Sequence, residues 1–499
     1  MPPKSSLQGM VAAYSLLFRA LVPSMVLASP LNFSIRQLEW KNCSTDSAPS
    51  LQCAEVQVPL DWNNPSGRQI NLFINKQPAV NAEKRIGSLF FHPGGPGASA
   101  AERVAKMDMP DYPHHSQQLR EVFDLIGADQ RGCGQSSPVK CDVDLLNVAM
   151  RHDQLPASRD EWEAGVEAFD AFGQSCLEQT GEELLSNMDT ISAAKDMEAI
   201  RTAIGEKLTY WGSSYGTQLG YTYAELFPDN IRAMVLDGVI DHSYTLAQVG
   251  HHATARAVLV LEHFFEWAGN DSASPLRGED VLHIYNHLRG QAQKEPLAAP
   301  GCKDSGFCAT GVTDWEFRSN LVLALKYPEN YPAAAQWLAE AMDGNATGLA
   351  TPFVSKATEW LLAHAAIACI EWSLEEGTWE VHSNRRNSRD SLSPYGWLTT
   401  PETQWAQWCR RWPIPVRNPP KPIKVPTLTA PVLLVHALWD TATSYDQAVS
   451  VQQKIPGSRL LTRRGDGHGS FANHGQTKIW MEKFMVDLEL PEVGTVLDD

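Results

Sequence analysis

The sequence predicts an α/β fold in which a mostly parallel sheet is flanked by helices and interrupted by a helical insertion. In residues 54–241, apolar runs that end in glycine-rich or polar turns alternate with stretches of helical periodicity. The same alternation resumes after residue 430. Strands and helices in this alternation form parallel sheets with right-handed crossovers. Between these regions the chain is helical and rich in tryptophan. This interruption indicates an insertion between two strands.

The individual elements follow from periodicity and turn residues. Residues 54–62 and 68–78 alternate apolar and polar around "NNPSG", which predicts an antiparallel pair. Apolar residues at helical spacing before Gly205 predict a helix that ends there. The other predicted strands are "RIGSLFFHPGGPG", "EVFDLIGADQRGCGQSS", "KLTYWGSSYG", "IRAMVLDGVID", "APVLLVHALWD" and "SRLLTRRGDGHGSF", and the other predicted helices outside the insertion are "TQLGYTYAELFP" and "QTKIWMEKFMVDL".

The chain is expected to divide into a leader and three segments. Lys4, two apolar stretches and small residues at Val26 and Ala28 are typical of a secretory signal peptide cleaved near Ala28. An uncleaved anchor is the alternative, although neither apolar stretch reaches the ~20 residues of a spanning helix. We therefore expect a signal peptide over 1–28, core segments over 29–241 and 414–499, and a helical lid over 242–413.

Composition restricts the class of partner and the compartment. The net charge is −17 over 499 residues and no Lys/Arg-rich run occurs, which argues against nucleic acid and, after signal removal, against membranes as partners. Nine cysteines suggest four disulfides and one free thiol in an oxidising compartment. The expected pairs are Cys43 with Cys53, Cys141 with Cys176, Cys302 with Cys308 and Cys369 with Cys409, leaving Cys133 free, although spacing alone does not determine them. Glycosylation is expected at the sequons of Asn32, Asn42, Asn270 and Asn345.

The candidate nucleophile lies in "WGSSYG". Gly212 to Gly216 have the form G-x-S-x-G with Ser214 at the centre, between a predicted strand and a predicted helix. In that context the serine lies on a sharp turn that exposes its hydroxyl. The alternative is an ordinary turn in which Ser214 caps the helix.

A serine hydroxyl needs a base that takes its proton. An acid after a later strand and a histidine near the C-terminus complete the order Ser, Asp, His. Asp440 ends "APVLLVHALWD" and His468 lies in "RRGDGHGS", so both occur where this order requires them. Asp237 is the rival acid, and Asp466 is less favoured because it is too near His468 along the chain. The other fourteen histidines are assigned no catalytic role, and His283 and His287, which share a helix face, are interpreted as solvated.

Negative charge develops on the substrate oxygen during attack and must be stabilised. The backbone N–H of Tyr215 is the first expected donor. The loop "HPGGPGAS" is expected to supply the second, from Gly95, with Gly94 as the alternative. This loop lacks both nucleotide-binding glycine patterns. No spacing typical of a zinc site occurs, so no metal is expected.

These motifs, together with "ADQRGCGQSS", "AELFPDNIRAMVLDGVID" and the "CRRWP" segment, resemble the α/β-hydrolase peptidases, and in particular the secreted tripeptidyl aminopeptidases related to prolyl iminopeptidases. The resemblance covers essentially the whole mature chain. It implies Ser214 as nucleophile, Asp440 as orienting acid, His468 as base and a helical lid over the site. It also implies that Asp129 and Arg131 form a buried structural pair. His92 and the residues after Asp440 depart from the family pattern.

The resulting expectation is a secreted serine hydrolase without a cofactor, most simply an aminopeptidase whose partner is a peptide or small acyl substrate. An exopeptidase needs a carboxylate for the substrate amine, and Glu371 in "AIACIEWSLEE" is the candidate. Its alternative role is a solvated helix residue. The same triad would also serve an esterase, lactonase or amide hydrolase. A non-catalytic secreted binding protein is the third possibility.

Overall fold

A computed structural model describes residues 38–46, 48–154, 156–355, 359–372, 378–396, 398, 401–473 and 475–499, without the side chains of 401–404 and 473. The expected signal peptide and the sequon at Asn32 lie outside these residues. In the described part of the chain, the helices are all too short or too polar to cross a bilayer.

Ten strands form the central sheet, and two short strands form a separate pair. The strands are β1 (Lys41–Asn42), β2 (Gln52–Pro59), β3 (Gln69–Gln77), β4 (Gly87–His92), β5 (Phe123–Ala128), β6 (Leu208–Ser213), β7 (Ile231–Asp237), β8 (Leu297–Ala298), β9 (Gly311–Val312), β10 (Val432–Trp439), β11 (Arg459–Asp466) and β12 (Val496–Asp498). The order in the large sheet is β1-β2-β3-β5-β4-β6-β7-β10-β11-β12. From β5 to β12 neighbouring strands are parallel, and β1, β2 and β3 are antiparallel.

The central strands are buried on both faces, as parallel strands covered by helices must be. All six residues of β4 are buried, and so are the first five of β6. Because β4, β6, β7 and β10 are adjacent and parallel, their C-terminal ends lie on one edge of the sheet. The loops after these strands therefore converge, and ligands in open α/β sheets bind at that edge.

Helices cover the sheet and form the insertion. They are α1 (Ala100–Lys106), α2 (Gln117–Val122), α3 (Val143–Met150), α4 (Arg159–Thr180), α5 (Glu182–Leu185), α6 (Thr190–Ile204), α7 (Tyr215–Leu226), α8 (Leu246–Asn270), α9 (Val281–Ala292), α10 (Asp314–Leu325), α11 (Tyr331–Met342), α12 (Trp360–Glu371), α13 (Trp379–Asp390), α14 (Pro401–Trp408), α15 (Tyr445–Lys454) and α16 (Gln476–Asp487). The predicted end of α6 is confirmed, because Gly205 caps it with φ 83°. Helices α8 to α14 lie between β7 and β10, as expected for an insertion.

The insertion has a hydrophobic core of its own. Residues of α8 to α11, such as Phe264, Leu288, Phe317 and Leu338, form a cluster separate from the two clusters on the faces of the sheet. By contrast, α12 belongs to the main cluster, since Ile367 and Ile370 are buried there. The insertion thus contains a helical module, α8 to α11, and a helix, α12, that packs directly on the core.

All four expected disulfides are confirmed. They join Cys43 to Cys53, Cys141 to Cys176, Cys302 to Cys308 and Cys369 to Cys409. Cys133 is free and buried, and burial raises the pKa of its thiol well above the ordinary range. The bridge between Cys369 and Cys409 ties α12 to the end of α14.

Candidate active site

Ser214 lies on a strained turn between β6 and α7. Its φ and ψ are 56° and −124°, a region that non-glycine residues rarely adopt. The turn is tight because Gly212 and Gly216 approach each other, and a Cβ at Gly216 would lie 2.7 Å from the His92 carbonyl oxygen. Ser214 occupies the cap position of α7, but its side chain makes no capping hydrogen bond. The capping interpretation is therefore wrong, and the hydroxyl is available for other contacts.

The structure pairs His468 with Asp440. His468 Nδ1 lies 2.7 Å from Asp440 Oδ2. The other oxygen, Oδ1, accepts hydrogen bonds from the backbone N–H groups of Ala442 and Thr443 at 2.8 and 2.9 Å. Burial acts to raise the pKa of Asp440, but the charge of His468 and these hydrogen bonds outweigh it and hold the pKa well below its usual range. The aspartate is thus favoured as an anion, and its hydrogen bond fixes the orientation of the imidazole.

The two rival acids have other partners. Both oxygens of Asp237 accept from the Ser470 N–H at 2.8 Å, and Oδ2 also accepts from the Phe471 N–H. Asp466 instead contacts His263 and Tyr331 of the insertion. Neither carboxylate is hydrogen-bonded to the ring of His468. Asp237 therefore holds the loop after β11 rather than the imidazole of His468.

His468 and Ser214 both lie against the C-terminal end of β7. The Ser214 N–H donates to the Asp237 carbonyl oxygen at 2.8 Å. The next residue, Gly238, has φ 69°, and a Cβ on it would lie 3.1 Å from His468 Cε1. A side chain at Gly238 would push the imidazole away. This glycine lets the ring approach the strand end to which Ser214 is bonded.

The glycine-rich loop after β4, residues 93–98, packs against the turn at Ser214. We call it the oxyanion loop, after the role that the sequence predicts for one of its N–H groups. A Cβ at Gly94 would lie 2.7 Å from Ser214 Cβ and 3.3 Å from the nitrogen of Tyr215. The Gly94 N–H donates to Nδ1 of His92 at 3.2 Å and is thereby occupied. In the described part of the chain, no acceptor meets the Gly95 N–H. This difference favours Gly95 over Gly94 as an oxyanion donor.

The Tyr215 N–H is the other candidate donor. Tyr215 is the first residue of α7, and N–H groups of the first helical turn have no partner within the helix. The positive end of the helix dipole adds to its attraction for an anion. Its side chain is fixed in the core, where the hydroxyl bonds to Gln130 Nε2 and Thr190 Oγ1. Backbone position and dipole are thus fixed before a substrate arrives.

Glu371 is a buried acceptor at the junction of four segments. Its side chain is 1% exposed. It accepts from the Thr190 N–H at 2.6 Å, from Gln218 Nε2 at 2.7 Å and from Asn418 Nδ2 at 2.8 Å. Burial raises the pKa of this carboxyl to about 7. The alternative of a solvated helix residue is wrong, and a role with the substrate amine stays a prediction.

Asp129 and Arg131 are both buried, as expected, but each is bonded to other residues rather than to its expected partner. Arg131 forms a two-pronged ion pair with Asp196, both contacts at 2.6 Å, and also bonds three carbonyl oxygens. Asp129 accepts from Ser99 Oγ, the Ala101 N–H and the Gln135 N–H. Since α6 supplies Asp196, local sequence could not identify it as the partner of Arg131.

Sequence reasoning did not predict that two histidines contact the oxyanion loop. His92 holds Gly94 from the sheet side, and His364 of α12 lies 3.1 Å from the Pro96 carbonyl oxygen through Nδ1. Both are buried. The position of His92 next to the glycine-rich loop was a local signal. His364 had none, since its partner lies 268 residues away.

Comparison with known protein families identifies the same fold. Residues 87–475 match the model of the alpha/beta hydrolase fold. The chain therefore belongs to the α/β-hydrolase fold family, and it is a serine hydrolase.

Three relatives, each similar over most of this chain, have more specific names. The chain is 30% identical over 457 residues to a tripeptidyl aminopeptidase of Streptomyces coelicolor, covering 87% of this chain and 80% of that protein. It is 28% identical over 459 residues to the serine protease Hip1 of Mycobacterium tuberculosis, covering 86% and 85% of the two chains. A carboxylesterase B of the same species is 29% identical over 454 residues, covering 87% and 84%.

Proposed function

We propose that this chain is an aminopeptidase that releases short peptides or residues from free N-termini through Ser214, Asp440 and His468. The observation that carries the substrate class is the similarity to the tripeptidyl aminopeptidase over 87% of the chain. The 2.7 Å contact between His468 and Asp440 beside the turn at Ser214 supports the mechanism.

The proposed reaction begins with proton transfer from Ser214 to Nε2 of His468. Nε2 is free to accept because Nδ1 carries the proton that is donated to Asp440. Ser214 Oγ attacks the scissile carbonyl carbon, and the N–H groups of Tyr215 and Gly95 stabilise the oxyanion. His468 then protonates the leaving amine as the acyl-enzyme forms. Water, deprotonated by His468, releases the acyl group and regenerates Ser214.

We also infer that the protein is secreted. Four disulfides in a chain of 499 residues support an oxidising compartment. Among the proposed glycosylation sites, Asn42 and Asn270 are exposed and Asn345 is half-buried. Expression with residues 1–28 in a secreting host tests this: we expect a protein in the medium whose N-terminus lies near Ala28, whereas retention of Met1 in the cell fraction contradicts it.

A substrate panel tests the proposed activity. Peptide amides with a free N-terminus, the same peptides with a blocked N-terminus, and simple esters are compared at equal concentration. The proposal expects turnover of the free-amine peptides, lost in Ser214→Ala and kept in the neighbouring control Ser213→Ala. Turnover of blocked peptides at the same rate would contradict the aminopeptidase assignment.

The second candidate function is ester hydrolysis, which the similarity to carboxylesterase B favours. The triad and oxyanion donors are the same for both, so the chemistry at Ser214 does not distinguish them. In the panel, turnover confined to esters would establish this function instead. Absence of turnover on every substrate, with no change on Ser214→Ala, would favour a non-catalytic binding protein.

A further inference from the structure

The insertion contacts the oxyanion loop through a histidine with a defined tautomer. His364 of α12 lies between the Pro96 carbonyl oxygen, 3.1 Å from Nδ1, and Trp405 Nε1, 3.2 Å from Nε2. A carbonyl only accepts and an indole N–H only donates. His364 must therefore carry its proton on Nδ1, donate to Pro96 and accept from Trp405. Burial lowers the pKa of this imidazole to about 4, so it is neutral at pH 7.

The backbone of α12 packs against the same loop. A Cβ at Gly97 would lie 2.7 Å from both the His364 nitrogen and the Trp360 carbonyl oxygen. Gly97 has φ 98°. Because it has no side chain, the backbone of the loop packs directly against the backbone of α12. The oxyanion loop is thus held on two sides, at Gly94 by His92 of β4 and at Pro96 by His364 of the insertion.

The helical module α8 to α11 contacts the loop that carries the base, residues 466–470, which we call the histidine loop. The backbone N–H of His468 donates to the Lys326 carbonyl oxygen at 2.9 Å. Asp466 accepts from His263 Nδ1 of α8 at 2.8 Å and from the Tyr331 hydroxyl of α11 at 3.0 Å. From the core side, Arg463 donates to the Asp466 and Gly467 carbonyl oxygens.

We propose that the insertion positions both catalytic loops: α12 holds the oxyanion loop through His364, and the module α8 to α11 holds the histidine loop through Asp466 and the backbone of His468. This inference rests on the proposed triad. His364, Tyr331 and His263 are positioning residues, because they act through Pro96 and Asp466 rather than on the substrate. Losing their contacts displaces the donors or the base that act in the transition state, so kcat falls while KM is unchanged.

Two substitutions separate the contacts of His364. In His364→Asn, the amide nitrogen occupies the position of Nδ1 and still donates to Pro96. In His364→Gln, the amide lies near the position of Nε2 and keeps only the contact with Trp405. We expect His364→Asn to retain most of kcat. We expect His364→Gln to lose about tenfold to a hundredfold, less than the 10²–10³ that follows removal of an oxyanion donor.

His382 provides a matched control for this pair. It is also a buried insertion histidine, its Nε2 faces the Pro156 carbonyl oxygen at 3.4 Å, and burial lowers its pKa to about 4. It does not touch either catalytic loop. His382→Gln should therefore leave kcat unchanged even if it lowers the unfolding temperature. An equal fall of kcat in His382→Gln and His364→Gln would overturn the positioning role.

Tyr331→Phe tests the histidine loop, with Tyr395→Phe as its control. Both hydroxyls donate to a carboxylate, Tyr331 to Asp466 at 3.0 Å and Tyr395 to Glu262 at 2.9 Å. Each change deletes one oxygen and keeps the ring. We expect Tyr331→Phe to lower kcat about fivefold, the loss from one hydrogen bond, and Tyr395→Phe to leave it unchanged.

The deciding measurement is the rate of Ser214 labelling by a fluorophosphonate together with kcat and KM on the best panel substrate. Slower labelling and lower kcat at constant KM in His364→Gln and Tyr331→Phe, but not in the controls, support the proposal. Normal labelling and kcat in both variants overturn it while the proposed triad stands. A wild-type protein that is not labelled at Ser214 refutes the triad, and the positioning role with it.

Discussion

Replacing Asp440 with asparagine should remove nearly all activity by reversing the tautomer of His468. Asp440 Oδ1 accepts two backbone N–H groups, and Oδ2 accepts from His468 Nδ1 and Thr443 Oγ1. An asparagine keeps its single oxygen on the two backbone donors, which turns its NH₂ group toward His468 Nδ1. Nδ1 must then accept, so the ring proton moves to Nε2. That nitrogen can no longer take the proton of Ser214.

The expected loss in kcat is about 10⁴-fold, as when the tautomer is wrong in other Ser-His-Asp triads, or about 5 kcal/mol of transition-state stabilisation. The assay is kcat/KM on the best peptide or ester substrate, with far- and near-UV circular dichroism to show that the variant is folded. Asp237→Asn is the control, because Asp237 contacts backbone N–H groups and not the ring. A larger loss in Asp237→Asn than in Asp440→Asn would refute the assignment of the acid.

Three further predictions concern the surroundings of the triad. Because burial raises the pKa of Glu371 from 4.5 to about 7, its contribution to stability is present below pH 4.5 and is lost as pH rises through 7. Urea unfolding at pH 5 and 8 should therefore show a decrease in the free energy of unfolding that is about 2.5 kcal/mol smaller in Glu371→Gln than in wild type. Removing the Cys369–Cys409 bridge, which closes a separation of 40 residues, should lower the stability measured by thermal unfolding by about 3–4 kcal/mol. It should also reduce kcat, and an unchanged kcat would contradict the link between α12 and the site. Gly94→Ala should reduce kcat at least tenfold, because the new Cβ would meet Ser214. The control Gly457→Ala should affect only stability, because Gly457 also has a positive φ, 81°, but has open space around it. Equal kcat in the two variants would contradict the packing of the oxyanion loop on Ser214.

Local patterns were sufficient for the parallel strands, the turn at Ser214 and the histidine after β11. Each lies where an apolar run ends in glycines, as around Gly212 and Gly216. Such a short stretch specifies a strand followed by a tight turn without help from distant residues. The order Ser, Asp, His along the chain is satisfied by Asp237 as well as by Asp440, so the preference for Asp440 came from the family resemblance. In the structure, the ring of His468 contacts Asp440 and not Asp237.

Contacts between distant segments could not be predicted in this way. Arg131 and Asp196 are 65 residues apart, and Glu371 and Thr190 are 181 apart. No periodicity signals which polar side chains of a helix will meet a loop elsewhere in the chain. The contact of His364 with the oxyanion loop was missed for the same reason. The short edge strands β1 and β12, with two and three residues, are also too brief to produce a pattern.

The most direct test of the account is peptide mapping after reaction with a fluorophosphonate. The account predicts one adduct, on Ser214, formed by the wild type, lost in Ser214→Ala and at least about a thousandfold slower in His468→Ala, since the base is required for the attack. An adduct on another serine, or labelling of Ser214 at the same rate without His468, would contradict it.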